Sequence, residues 1–225
     1  MGTDIHVCVE KRMCNRWEAV TKTSKYDEEG LYWLDIGRCY ALFAILANVR
    51  NGYGFAGCDT GDGFKPISSP RDLPADASAA VKDSYDEGWD HSISWLTLQE
   101  LLDYDWTQTT KLRGWVDAVT YYKWDEWARR RGEGPREYCG SIDGMCIKHI
   151  TPEEMDTEMG KIKQLNLDYR GDIEAIKTAL ESTYCQVEWG QPYYKCCREF
   201  LSEVIPQLLK IGKPEDVRIV FWFDS

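Results

Sequence analysis

Met1-Gly2-Thr3-Asp4-Ile5-His6-Val7-Cys8-Val9-Glu10 opens the chain, and its alternation decides the fold. Ile5, Val7 and Val9 alternate with Asp4, His6, Cys8 and Glu10. Successive side chains of a strand point to opposite faces, so the stretch predicts a strand with one apolar face and one face bearing two carboxylates and an imidazole. Its natural partner lies at the far end. Val217-Arg218-Ile219-Val220-Phe221-Trp222-Phe223-Asp224 is nearly continuously apolar and rich in β-branched and aromatic residues, as a central strand covered on both faces is. Pairing of the two allows Asp224 and Arg218 to share the face of Asp4 and His6, in a register that sequence leaves open.

Between these strands the chain alternates helical and extended patterns. Arg16 to Val20 reads as a returning strand after a turn at Met13-Cys14-Asn15, and Thr21 to Gly30 as a loop. Asp35 caps a predicted helix over about 37–48, with Tyr40, Phe43, Ala44 and Ala47 on its apolar stripe. Residues 51–76 are irregular and glycine-rich, without a Gly-Lys-Ser/Thr sequence or the strand and helix that a dinucleotide fingerprint needs. Thr97 followed by Glu100 is a capping box that starts a helix at Leu98, which sets His91 and Ser92 in a strand or loop just before a helix N-terminus. Leu112 to Arg130 reads as a long helix ended by Arg129-Arg130-Arg131-Gly132. Cys146 to Ile150 reads as a strand, with His149 structural, and Thr151-Pro152-Glu153-Glu154 as a helix start. Helix over 172–183, strand over 185–189 and a helix over 192–210 kinked at Pro206 complete the pattern. The expectation is one α+β domain over residues 1–225, a mixed or antiparallel sheet with the terminal strands central and helices packed on it. Residues 51–132 form an elaborated helical insertion.

The chain has 225 residues and a formal charge of −11, so it can bury a large core and repels nucleic-acid backbones; duplex binding is not expected. No run of about 18 apolar residues occurs, nor a basic region followed by an apolar one, so neither a membrane span nor a secretory signal is expected. Nine cysteines with irregular spacing and no Cys-x-x-Cys pair argue against a disulfide framework or zinc ribbon and for reduced thiols in a cytoplasm.

The motifs together resemble an uncharacterised protein family common in bacteriophages and some bacterial genomes. The resemblance rests on Gly2, Asp4-Ile5-His6 and Val9-Glu10, on Arg38, Tyr40, Phe43 and Val49-Arg50-Asn51, and on Pro70-Arg71 and Leu73-Pro74. It continues through His91-Ser92, Ser94-Trp95-Leu96-Thr97-Leu98, Glu100-Leu101 and Val217-Arg218 to Asp224. It covers the chain end to end, most weakly over 107–161. The chain departs from the pattern at Thr3, where the family carries Cys, and at Asp72, where it carries Gly. The resemblance implies a phage accessory protein acting against host defence in the host cytoplasm, and no particular activity.

Two functional classes follow. In the first, Asp4, His6, His91 and Asp224 bind a divalent metal such as zinc or manganese, which activates water against a nucleotide or phosphodiester. His6, Asp4 and His91 are then catalytic, and Arg38, Arg71 and Ser92, with Arg50 a further candidate, hold the phosphate. A metal-free variant uses His6 as general base, oriented by Asp4 or Asp224. In the second class the protein is a non-catalytic binder. It sequesters a nucleotide signal among Arg38, Arg71, His91, Tyr53, Phe55 and Trp89, or blocks a host protein through acidic stretches such as Asp27-Glu28-Glu29 and 83–90. The catalytic class requires its four polar residues to converge.

Overall fold

The computed structural model describes residues 2–23 and 29–224. In chain order its elements are β1 (Asp4–Met13), β2 (Arg16–Ala19), β3 (Thr21–Thr23), β4 (Glu29–Leu31), α1 (Tyr40–Ala47), α2 (Ala79–Ser84), β5 (His91–Thr97) and α3 (Leu98–Asp103). There follow β6 (Thr109–Asp117), α4 (Ala118–Trp127), β7 (Lys148–Ile150), α5 (Pro152–Lys163), α6 (Tyr169–Ala179), β8 (Thr183–Pro192), α7 (Tyr193–Cys196), α8 (Ile205–Ile211) and β9 (Val217–Asp224). The fold is α+β. The chain divides into two compact units, one of Met1–Asn51, Phe64–Gln108 and Pro192–Ser225, the other of Gly52–Gly63 and Thr109–Gln191.

The first unit is built on an antiparallel sheet of order β2-β1-β9-β5. The expected pairing of the terminal strands is present: Asp4 lies opposite Asp224, His6 opposite Trp222 and Glu10 opposite Arg218. β9 is central and buried from Val217 to Phe223. Ile5, Val7, Val9, Ile219, Phe221 and Phe223 share one face and form a cluster with Phe43 and Leu46 of α1, Leu98 and Leu101 of α3, and Leu208 of α8. Each fully buried side chain of this size contributes roughly 1.5–3 kcal/mol. The other face is also covered, because Cys8, Val220 and Trp222 pack with Ala77, Val81 and Ile93. The end of that face at Asp4, His6 and Asp224 remains in contact with solvent.

Local signals account for the elements that frame the sheet. The β1–β2 hairpin turns through Cys14 and Asn15 at φ 45° and 66°, the positive values that a tight two-residue connection requires. The capping boxes at Thr97/Glu100 and Thr151/Glu154 are both complete. Asn51 fixes the exit from α1: its side chain donates to the Phe64 carbonyl and accepts from the Phe64 N–H, at 2.7 and 2.6 Å.

Several expectations are corrected. Asp35 does not cap α1; its carboxylate accepts from the Gly37 N–H at 3.0 Å, and α1 starts at Tyr40 after Cys39, which makes no side-chain cap. The segment expected as a loop contains the paired strands β3 and β4, and Asp27 and Glu28 lie outside the described residues. The long helix expected from Leu112 is strand β6 followed by α4, with Asp117 accepting from the Thr120 N–H at 2.6 Å as the true cap. The helix expected over 192–210 is interrupted by a π-helical turn at Phe200–Val204 ahead of Pro206, where the proline has no N–H to continue the ladder.

The second unit also departs from the expected insertion. Residues 64–108 belong to the first unit and 133–191 to the second. Its three strands run in the order β6-β8-β7, with β7 and β8 parallel. Val116, Tyr121, Trp124, Met155, Ile176 and Val187 are among its buried core residues. His149 donates to the Ile142 carbonyl at 2.9 Å and packs on Trp115, a structural role. No helix among the described residues is long and apolar enough to cross a membrane.

Candidate acid–base site

Strand register assembles the site. Because β1 and β9 pair Asp4 with Asp224, the backbone N–H of Asp4 donates to Asp224 Oδ1 at 3.2 Å. His6, two residues along on the same face, brings its Nε2 to 3.2 Å from Asp224 Oδ2. A carboxylate only accepts, so Nε2 carries the proton in this pair, and in the neutral ring Nδ1 is then the nitrogen with the lone pair. The His6 and Asp224 side chains are 40% and 46% exposed, so water reaches the imidazole while Asp224 fixes its orientation.

Aromatic rings support the imidazole from the strand side. Trp222, directly opposite on β9, stacks near it at 6.1 Å and 28°, and Trp33 meets it edge-on at 6.1 Å. Trp33 reaches this face because its backbone bridges Cys8 at the edge of β1. Its ring is 47% exposed, whereas Trp222 is buried.

Arg38 closes the other side. Its Nε and Nη2 donate to the two oxygens of Asp4 at 2.8 and 2.5 Å, the two-pronged geometry that guanidinium and carboxylate favour. Gly2 makes room for it: a Cβ there would lie 2.8 Å from Arg38 Nη1. Hydrogen bonds from Arg38 hold the Asp4 carboxyl below its ordinary range, and the same contact pushes the guanidinium up. A lowered folded-state pKa stabilises the protein above the ordinary carboxylate range, and that contribution is lost as pH falls through the folded value. Both groups are exposed, so solvent screens it. In an NMR titration, Arg38→Gln is expected to return Asp4 upward towards the ordinary carboxylate range. An unchanged titration would sever the link between the two residues.

The remaining sequence candidates lie elsewhere. His91 does not join Asp4, His6 and Asp224, and the cause is a one-residue irregularity. From Ser94, opposite Phe221, regular pairing would bring His91 opposite Asp224, on the candidate face. A bulge between His91 and Ser94 shifts it to Phe223, and one step of register turns a side chain to the other face. The His91 ring accordingly stacks near Phe223 at 5.9 Å, and its Nδ1 lies 3.0 Å from Ser92 Oγ. Ser92 sits in the bulge at φ 54°. Neither residue adjoins the N-terminus of α3, because β5 separates them from it by roughly 20 Å of strand rise.

The other arginines are engaged in architecture. Arg71 donates to both oxygens of Glu100, at 3.1 and 2.6 Å, and lies over the Trp95 ring, so it clamps the capping box of α3 and does not present itself to phosphate. Arg50 donates to the buried Thr3 hydroxyl at 2.9 Å. Asp72 has φ 62°, a backbone region that glycine enters freely. Among the described residues, no group of three or more His, Cys, Asp or Glu side chains is disposed to hold a metal ion, and both oxygens of Asp4 already serve Arg38.

The chain matches no protein-family model, no curated protein and no solved structure.

Of the residues expected to bind a nucleotide, Tyr53 and Phe55 belong to the second unit, while in the first Arg71 is committed to Glu100 and the His91 ring stacks near Phe223. In the acidic stretch over 83–90, Asp86 and Asp90 organise their own turn by accepting from the N–H groups of Gly88 and Asp86. Sequence reasoning did not single out Trp33 or Trp222 as site residues. Trp222 was recoverable from its parity with Asp224, whereas Trp33 reaches the site through a long-range bridge that leaves no local signal.

Proposed function

We propose that the surface around His6 is a metal-independent acid–base site that hydrolyses a nucleotide or related phosphodiester. The observation that carries this reading is the His6–Asp224 pair, set by register at a solvent-reached sheet end beside the Arg38–Asp4 pair. An imidazole accepts and returns a proton near neutral pH. His6 Nδ1 takes the proton of an attacking water, Asp224 holds the ring and stabilises its positive charge, and Arg38 exchanges Asp4 for a phosphate group of similar geometry. In line with the phage-type resemblance, we take the substrate to be a nucleotide signal of host defence, met in the host cytoplasm. The same exchange would free the Asp4 carboxylate for a divalent ion, which is why the test is run with a chelator.

The test is product release from a panel of mononucleotides, cyclic oligonucleotides and dinucleoside phosphodiesters, with a strong chelator present. Turnover is expected to persist in chelator and to fall about 10²- to 10⁴-fold in His6→Asn, with folding checked by circular dichroism. Turnover unaffected by His6→Asn would sink the proposal. Turnover that vanishes in chelator and returns with zinc or manganese would move it to a metal site around Asp4, His6 and Asp224.

One observation favours a second reading. The exposed Trp33 ring offers a surface on which a base can stack, so the same patch suits a protein that sequesters the nucleotide without turning it over. Tight binding without turnover, lost in Trp33→Ala and kept in His6→Asn, distinguishes this reading from catalysis.

A further inference from the structure

We propose that Cys39 and Cys197 form a dithiol redox site that reduces small anionic disulfides of the glutathione type and is itself converted to an intramolecular disulfide. Cys39 immediately precedes α1, and its thiol lies 3.5 Å from the carbonyl of Cys196, to which it donates. That carbonyl directly precedes Cys197 in the chain, which sets the Cys197 thiol in the neighbourhood of Cys39. Cys39, Cys196 and Cys197 line one cleft of about 270 Å³, with Lys195 and Arg198 on its wall. Those two cations suit a ligand that carries carboxylates, as a glutathione-type disulfide does, with Glu199 the opposing charge in the same wall.

The two sulfurs differ in a way that assigns their roles. As a thiolate, Cys39 accepts from the Cys197 thiol and from the N–H groups of Leu42 and Ala41, and these hydrogen bonds bring it down to about 7 in spite of its burial and of Glu199. Thiolates are the attacking species in disulfide exchange. Cys197 is buried and is pushed up, first by that same hydrogen bond to Cys39. Cys39 is therefore the attacking sulfur and Cys197 the resolving one.

The Cys39 thiolate attacks one sulfur of the incoming disulfide. The small molecule's S–S bond breaks and its first half leaves as a thiolate. Cys39 is now uncharged, and the cause that held the Cys197 proton in place is gone. Cys197 gives its proton to the departing thiolate and attacks Cys39 Sγ, displacing the second half, which takes up a proton from water. Counted from the Cys39 thiolate, the protein loses two electrons and one proton, water supplies the second proton, and one small disulfide becomes two small thiols. None of this involves His6 or Asp224, so the site stands or falls independently of the hydrolytic proposal.

The test uses the full chain carrying Cys14→Ser and Cys146→Ser, which removes the two exposed thiols. The fully reduced protein is incubated with oxidised glutathione at neutral pH, remaining thiols are alkylated, and peptides are mapped by mass spectrometry. The expected product is a Cys39–Cys197 cross-link, with two molecules of reduced glutathione released per cross-link. In the further variant Cys197→Ser the reaction is expected to halt at a glutathione adduct on Cys39, with one molecule released. Alkylation of Cys39 is expected to follow pH with a midpoint near 7. A reference protein that stops at the Cys39 adduct overturns the pairing, and one in which Cys39 stays unmodified overturns the site. If Cys197→Ser does not fold, mapping of the Cys197-containing protein alone decides.

Discussion

Arg218→Met is expected to lower the unfolding free energy by about 3–5 kcal/mol, as removal of one partner from a buried ion pair does. Arg218 is 2% exposed and Glu10 is fully buried. Arg218 Nε donates to Glu10 Oε2 at 2.7 Å, and its Nη1 to Asp76 at 2.9 Å. The other oxygen of Glu10 accepts from the N–H of Ser78, which caps α2, so the pair joins the two central strands to a helix. Trp17 and Trp95 flank the guanidinium at 4.2 and 5.5 Å, on the β2 and β5 sides of the same face. Deleting the cation leaves the Glu10 carboxylate buried with a single neutral donor. Glu10→Gln is expected to cost less, because an amide can stay beside Arg218 without a charge of its own, and the double variant is expected to cost far less than the two changes added together. Equilibrium urea unfolding measures all three. A single-variant loss below about 1 kcal/mol, the range of exposed pairs, would refute the buried-pair description. Among the described residues Arg218 Nη2 has no hydrogen-bond partner, which adds to the desolvation that the pair must offset.

Trp222→Ala is expected to be similarly damaging, at about 3–5 kcal/mol. Trp222 is 1% exposed and meets Trp33 and Tyr85 at 5.8 Å each and His6 at 6.1 Å. Truncation removes a large buried ring from the face opposite the main core and leaves a cavity that the strands on either side are too constrained to fill. Trp222→Phe keeps an aromatic ring there and is expected to lose distinctly less. Guanidinium denaturation followed by far-UV circular dichroism gives the comparison. Equal losses for Ala and Phe would mean that strain, and not the cavity, sets the cost. The Ala variant also removes the backing of the imidazole, so turnover is expected to fall even at temperatures where the protein stays folded.

The parts of this architecture that could be read in advance are those encoded over a few residues. The alternation in Asp4–Glu10 and the apolar run from Val217 name the central strands, and each capping box names a helix start within four residues. The region from Leu112 failed because Leu112 and Val116 fit both a helical and an alternating period, and only the packing of Gly114 and Val116 in β6 decides between them. The candidate site was half legible. Asp4, His6 and Asp224 came together because strand parity and end-to-end pairing suffice to unite them. His91 was lost to the bulge at Ser92, a departure from regular pairing that parity cannot anticipate. The approach of Cys197 to Cys39 depends on how two distant segments pack, and Cys196-Cys197 alone reads as ordinary core.

The pairing of β1 with β9 also orders events in time. Asp4 and Asp224 are 220 positions apart, and β9 must enter between β1 and β5, which precede it in the chain and are made earlier. Until it does, those strands expose unpaired edges on a ribosome-bound chain, and closing so long a loop slows the search for the native register. His6 therefore acquires its partner only once β9 has joined the sheet. The His6–Asp224 pair belongs to the fully paired sheet alone, and a chain from which β9 is still absent holds His6 without its carboxylate.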